Sequence, residues 1–399
     1  MYGRVYSAGR AGMEGFLVEV EVDIREGLPC MDLVGALKGE VKEARERVKA
    51  ALHHCGISLP PKRITVNLSP AGRRKEGGGF DLPVAAAILS ALGCLPQTDS
   101  PYSGQEGERE SGLFFENVLL LGELGLDGSL RPVNGILPLT YFAREQGFSY
   151  CLVAEENAPE GCLVDGIRIL AISHLSELWE LVRSPERFLC SRRSEGIGGK
   201  SGCQKDFSDL SGQETLRRAA EVAAAGMHNL LIVGPPGAGK TMAAERLPGI
   251  LPELSWEEKL ELTKIYSICG RLKRDTPLVE ERPFRAVHHT IPAAAMMGGG
   301  RVPEPGEISL AHKGVLFLDE LPEFQRRVLE VLRQPMEGGE IVISRVYGAY
   351  RFPADFMVVA GMNIATTKLI QWETAEKPEN KAFRGFCGFI FSLFEPFFC

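Results

Sequence analysis

The sequence predicts an α/β protein whose second half is built on a parallel sheet. Two segments carry that prediction. Gly234-Pro-Pro-Gly-Ala-Gly-Lys240-Thr241 fits the phosphate-loop pattern G-x-x-x-x-G-K-[ST] in full. It stands behind an apolar strand, Asn229–Val233, and ahead of a helix from Met242 to Leu247. Val315–Leu318 is a second apolar run, and it ends in Asp319 and Glu320. A parallel strand delivers those acids to the sheet edge that holds the phosphate loop, where ligands of open α/β sheets bind.

The remaining elements follow in chain order. Phe16–Ile24 alternates apolar and acidic residues, as a half-buried strand does. Val41–Leu52 has apolar spacing near 3.6 and reads as a helix that stops near Gly56. Arg63–Leu68 is a strand. Asp81–Leu92 is a buried helix with Pro83 in its first turn, where proline is tolerated. Val118–Leu124 reads as a strand and Pro138–Gln146 as a helix, while the polar, Gly/Ser/Glu-rich stretch Gln97–Ser111 reads as a mobile loop. The first domain therefore covers residues 1–183. Residues 184–205, charged and rich in Gly and Ser, form a linker. From residue 206 come helices at Gly212–Ala225 and Trp256–Ile268, then one at Gln325–Gln334 behind the Asp319 strand. A hairpin pairs Glu340–Arg345 with Ala349–Phe352 across Val346–Gly348, and a strand, Phe356–Ala360, leads to Asn363.

Composition bounds the function. With 44% apolar and 24% charged residues the chain builds an ordinary globular core. A net charge of −7 gives no global basic signature, so any nucleic-acid contact must come from a local patch or an assembled surface. Ten cysteines without a C-x-x-C pair argue against a zinc ribbon and a secreted disulfide framework. The N-terminus lacks an apolar signal core and no apolar run approaches the ~20 residues of a membrane span, so a cytoplasmic protein without membrane contact is expected. Residues 364–399 change character: seven phenylalanines fall between Phe383 and Phe398. Arg384, Glu395 and Pro396 interrupt that tail, which leaves non-native sequence or an interfacial anchor as readings.

The chemistry of the site follows from its residue types. Glycines let successive backbone N–H groups converge on phosphate oxygens, and the helix N-terminus adds partial positive charge. Gly234, Pro235, Pro236, Gly237, Ala238, Gly239, Lys240 and Thr241 thus form the nucleotide cradle. Lys240 reaches the β- and γ-phosphates, and the Thr241 hydroxyl binds Mg²⁺. Asp319 holds Mg²⁺ directly or through water. Glu320 orients and polarises the attacking water. ATP and Mg²⁺ are the expected cofactors. His288 and His289 invite a metal reading, but adjacent residues on a strand point opposite ways and no ligand cluster accompanies them.

The second half resembles the magnesium-chelatase-like branch of the AAA+ ATPases. The segments that carry the resemblance are Gly234–Thr241, Ala286–Thr290, Gly298–Gly300, Pro305–His312 and Gly314–Phe324. With Gly27–Pro29, Val41–Arg47, Arg63–Leu68 and Lys75–Pro83 included, the chain resembles the YifB/ComM subfamily, in which a Lon-protease-like α+β domain precedes the ATPase. The resemblance implies a P-loop AAA+ domain over residues 206–363, with helices on both faces of its sheet. It implies that Asn363 is the sensor that contacts the γ-phosphate or the water. It implies that the hairpin at Glu340–Phe352 is a pore hairpin whose Arg345 and Arg351 touch nucleic-acid phosphates. The peptidase dyad is not matched: Gly77–Asp81 holds no serine and Gly135–Leu139 no lysine. For function it implies a DNA-dependent motor of the branch-migration type, assembled as a hexameric ring on single-stranded or branched DNA. A chelatase-type ATPase remodelling a protein partner, or an inactive binding fragment, are the alternatives. After Asn363 no arginine-finger or helical-lid segment is matched, so hydrolysis by this chain is expected to be slow.

Overall fold

The structure, a computed structural model, describes residues 1–36, 39–75, 77–95, 115–191, 205–273, 276–300, 303–345 and 348–363. The expected loop at Gln97–Ser111, most of the linker and the phenylalanine-rich tail lie outside the described residues. The chain forms two compact units. One holds Met1–Glu195 together with Ser267–Leu278, and the other holds Gly196–Tyr266 with the chain from Val279 onward.

The first unit is built on one sheet. Its strands are β1 (Tyr2–Ala11), β2 (Glu14–Arg25), β3 (Cys30–Val34), β4 (Arg63–Ser69), β5 (Val118–Leu120), β6 (Tyr150–Ala154), β7 (Arg168–Ile172) and β8 (Leu189–Cys190). They lie in the order β8-β7-β6-β5-β1-β2-β4-β3. The alternation in β2 places Val18, Val20 and Val22 on the face covered by α1 (Gly39–His54) and α2 (Asp81–Ala91). The opposite face, with Ala8, Leu119, Cys151 and Val153, packs on Ile136, Leu139 and Ala143 of α3 (Ile136–Glu145). One expected strand is shorter than anticipated: Val118–Leu124 leaves the sheet after Leu120 and resumes as Glu123–Leu124 in a hairpin with Leu130–Arg131. The break falls at Gly122, whose N–H donates to Gly79 O and which packs against Leu82 and Leu130 too closely for a free side chain.

The second unit carries a four-stranded parallel sheet of β9 (Leu230–Gly234), β10 (Phe284–Val287), β11 (Val315–Leu318) and β14 (Met357–Asn363). The order is β9-β14-β11-β10. The antiparallel hairpin between them is β12 (Glu340–Arg345) and β13 (Gly348–Pro353). Every residue of the central strand β11 is buried, so both faces of the sheet are covered there, as a parallel sheet requires. Ile232, Val315, Phe317, Met357 and Val359 meet Ala220, Ala223 and Ala224 of α4 (Glu214–Gly226) on one face. The expected helix at Gln325–Gln334 is two short ones, Arg326–Glu330 and Arg333–Gly338. Pro335 explains the break. It has no N–H to donate and its ring opposes the carbonyl four residues back, so the second helix restarts with Pro335 in its first turn.

A charged network fixes α6 (Trp256–Ile268) in this unit, α5 being the short helix Lys240–Ala244 that follows the phosphate loop. His312 is buried. Its Nδ1 accepts the Asp355 N–H, and its Nε2 lies 3.0 Å from the Glu261 carboxylate. The imidazole contact, with Lys313 and Lys264 adding charge, holds the Glu261 carboxyl below its usual value of 4.5. A depressed folded value adds stability above the unfolded pKa, and that stability is lost as pH falls through the folded one. Thermal melts of wild type and Glu261→Gln across pH 7 to 3 should therefore differ most at the neutral end and converge in acid.

Candidate nucleotide site

The phosphate loop sits at the C-terminal edge of the parallel sheet, between β9 and α5. Gly237 (φ 78°) and Gly239 (φ 80°) both occupy the left-handed region that other residues avoid. Those two conformations turn the loop back on itself and into the first turn of α5. Lys240 is buried, and its ammonium donates to Gly234 O at 3.1 Å, Pro235 O at 3.0 Å and Asn363 Oδ1 at 2.7 Å. The last contact follows from strand register, because β9 and β14 run parallel with Gly234 beside Asn363. Sheet pairing thus brings residues from far apart in the chain onto one ammonium group.

Thr241 Oγ1 donates to Asp319 Oδ2 at 3.2 Å. Both are hard oxygen donors, and Mg²⁺ is held by one or two such protein groups, with phosphate and water completing its shell. The residues present fit that ion. Asp319 also accepts the Glu320 N–H at 3.0 Å through its other oxygen. That oxygen lies so near Gly361 that a β-carbon there would stand 2.9 Å from it, so the bare backbone of β14 leaves Asp319 its place.

Glu320 departs from the sequence reading in its direction. It takes a left-handed backbone (φ 53°), and its carboxylate lies 3.4 Å from His289 Nδ1. His288 and His289 also correct an expectation. Strand β10 ends at Val287, so the alternation of side chains does not apply to them, and their rings face each other with centroids 4.0 Å apart. His288 Nδ1 pairs with Thr290 Oγ1 at 3.0 Å. Among the described residues no group of three or more His, Cys, Asp or Glu gathers to hold a metal.

The two hairpin arginines differ. Arg345, at the tip where it pairs with Gly348, is exposed and directs its guanidinium to Ser344 O and Gly300 O. Arg351, opposite Val342, is paired with Glu340 at 2.7 Å. The turn residues Val346 and Tyr347 lie outside the described residues.

Sequence reasoning missed one support of the loop. Arg246, buried at the end of the phosphate-loop segment, donates to Asp209 Oδ2 at 2.9 Å and to the backbone of Asp206 and Met242. Asp206 in turn caps the turn Phe207–Asp209 by accepting the Ser208 N–H. An Asp two residues before a polar N–H was the available signal for that turn.

Comparison with known proteins places this geometry among relatives. Residues 206–384 match the family described as magnesium chelatase, subunit ChlI, a match that runs past Asn363. Residues 20–157 match subunit ChlI of Mg-chelatase. The chain is 42% identical over 368 residues to competence protein ComM of Haemophilus influenzae, covering 91% of this chain and 69% of that one. It is 41% identical over 363 residues to the uncharacterized protein YifB of Escherichia coli, covering 91% and 68% respectively. A shorter match, 29% identical over 153 residues and 36% of this chain, is to Lon protease 2 of Bacillus subtilis.

Proposed function

This chain belongs to the magnesium-chelatase-like family that includes ComM and YifB, and from that premise we propose that it is an ATP-driven motor acting on DNA. The observation that carries the ATP half is the meeting of Lys240, Thr241, Asp319 and Asn363 at one sheet edge. Lys240 and the loop N–H groups bind the β- and γ-phosphates. Thr241 and Asp319 hold Mg²⁺, which when bound neutralises charge on the phosphates. Asn363 senses the γ-phosphate while Glu320 takes the proton of the attacking water.

The DNA half rests on the ComM likeness and on the hairpin. Arg345 is the stronger candidate for a backbone phosphate, since Glu340 already offsets the charge of Arg351. The motor works as a homo-oligomeric ring, hexameric as in the family, on single-stranded or branched DNA during recombination of incoming strands. Residues 1–183 form a Lon-protease-like domain, and the expected 184–205 linker first adds β8 (Leu189–Cys190) to its sheet. The domain lacks the Ser–Lys dyad, and at Gly78 a β-carbon would meet the Glu123 carboxyl. Forked or single-stranded DNA should accelerate ATP hydrolysis several-fold. Arg345→Ala should reduce DNA affinity across all sequences and lower the slope of log K against log salt by about one. Hydrolysis indifferent to any DNA would overturn the motor reading. It would favour the second reading, a chelatase-type ATPase remodelling a protein partner, which the ChlI family match supports.

A further inference from the structure

Helix α6 begins in the second unit and ends in the first. From Ser267 to Leu278 the chain packs with the first unit, and it rejoins the second at Val279. Ser267, in the last turn of α6, is buried, and so is Glu160 of the short helix Ala158–Gly161. Glu160 Oε1 accepts two donors, the Ser267 hydroxyl and the Leu137 N–H, the latter at 2.7 Å. The Gly135 N–H donates to Ser267 O at 3.1 Å. Beyond the helix, Gly270 (φ 61°) passes so close to Asn134 that a β-carbon would stand 2.7 Å from its amide nitrogen. A buried carboxyl is stable only where donors replace its water, so loss of either partner of the Glu160–Ser267 bond is costly. Neither residue has a part in the nucleotide site described above.

The residue before Ser267 is anchored differently. The Tyr266 hydroxyl donates to Leu310 O at 3.0 Å, within the second unit. One turn earlier, Thr263 Oγ1 accepts the Val279 N–H at 3.0 Å, where the chain returns. Earlier still, Glu261 lies 3.0 Å from His312 Nε2. Leu310 and His312 belong to the segment that leads into β11, and Asp319 and Glu320 follow that strand. Consecutive residues of one helix thus hold a carboxyl of the first unit and the approach to β11. Coupling between distant groups is carried by hydrogen-bond networks joined through rigid elements of this kind.

We propose that Glu160 is a positioning residue for ATP hydrolysis. By holding Ser267 it fixes the end of α6 and, through Tyr266 and Glu261, the approach to β11. The two acids after β11 then keep the places that metal and water require. This rests on Asp319 and Glu320 serving metal and water as proposed above.

The test is single-turnover hydrolysis of ATP–Mg²⁺ by the full chain, with its Kd measured alongside. Ser267→Ala and Glu160→Ala should lower the rate at saturating nucleotide about tenfold, less than the ~10²-fold that a 1 Å misplacement costs. Kd should stay within twofold. Should Glu160→Ala fail to fold, Ser267→Ala carries the test, because it keeps the backbone bonds of Ser267. Glu160→Gln retains an oxygen for both donors and should stay within twofold of the wild-type rate. Tyr266→Phe breaks the next link and should slow hydrolysis to a similar degree. Combined with Ser267→Ala it should be no slower than either alone. An unchanged rate in Ser267→Ala, effects that multiply in the double variant, a parallel loss of affinity, or a Glu160→Gln variant as slow as Glu160→Ala would overturn the proposal. Full rates in both Asp319→Asn and Glu320→Gln would instead sink the reading on which it stands. Amide exchange gives a readout that needs no turnover. In Ser267→Ala, the amides of Leu310–Lys313 should exchange faster together with those of Ser267–Leu278. Faster exchange confined to Ser267–Leu278 counts against the coupling.

Discussion

Lys240→Ala is expected to weaken ATP–Mg²⁺ binding by roughly 10²–10³-fold. A hydrogen bond to a charged group contributes about 1.5–3 kcal/mol, and the ammonium addresses two phosphates. The geometry explains why no other side chain replaces it. Its Nζ is held by Gly234 O, Pro235 O and Asn363 Oδ1 within 3.1 Å, at the mouth of a loop that has no second cation. Removal also takes from Asn363 the 2.7 Å hydrogen bond that Lys240 gives its Oδ1. Lys240→Arg should not rescue, because a planar guanidinium is larger than the space defined by those three acceptors. Equilibrium titration with a fluorescent ATP analogue measures the effect, and circular dichroism melts check that the fold is kept. Affinity within threefold of wild type would remove Lys240 from the phosphate site.

The parts of this site that were legible in the sequence are those whose chemistry demands fixed spacing. Gly237, Gly239, Lys240 and Thr241 must follow one another because one short loop makes the whole cradle, so local order in the chain is local order in space. Asp319 was legible for a related reason: an apolar run ending in acids is what a buried parallel strand delivers to a sheet edge. What was not legible depended on where elements stop. His288 and His289 look like strand residues until β10 is seen to end at Val287. The direction of Glu320 depends on a backbone angle that no residue type announces. In the first unit, β1 escaped notice because its signal is carried by small residues. Gly3 lies against Ala87 O and Gly9 against the Phe16 ring, where any β-carbon would clash. Close packing of helix and neighbouring strand had replaced the branched side chains by which a strand is recognised. The helix over Gln325–Gln334 failed at its downstream edge, since Pro335 acts on the turn before it and periodicity does not register that.

Glu320→Gln is expected to lower the rate of ATP hydrolysis by about 10²–10⁴-fold, the range that a positioned general base contributes, while ATP–Mg²⁺ binding is kept or tightened. The amide has the size of the carboxyl, but it takes no proton and no longer repels the phosphates. Asp319→Asn should behave differently. Asp319 lies on Thr241, so its neutralisation weakens Mg²⁺ and moves the loss into binding, with activity partly recovered at high Mg²⁺. Adjacent carboxylates of the same charge therefore separate by phenotype, one in rate and one in metal dependence. Single-turnover hydrolysis of labelled ATP at several Mg²⁺ concentrations reads both. Were Asp319→Asn to lose rate at saturating Mg²⁺ while Glu320→Gln kept it, the two roles would have to be exchanged. The backbone of Glu320 makes that outcome hard to reconcile with the structure: its N–H donates to Asp319 Oδ1, which holds the first acid beside Thr241, while the second turns the other way, toward His289.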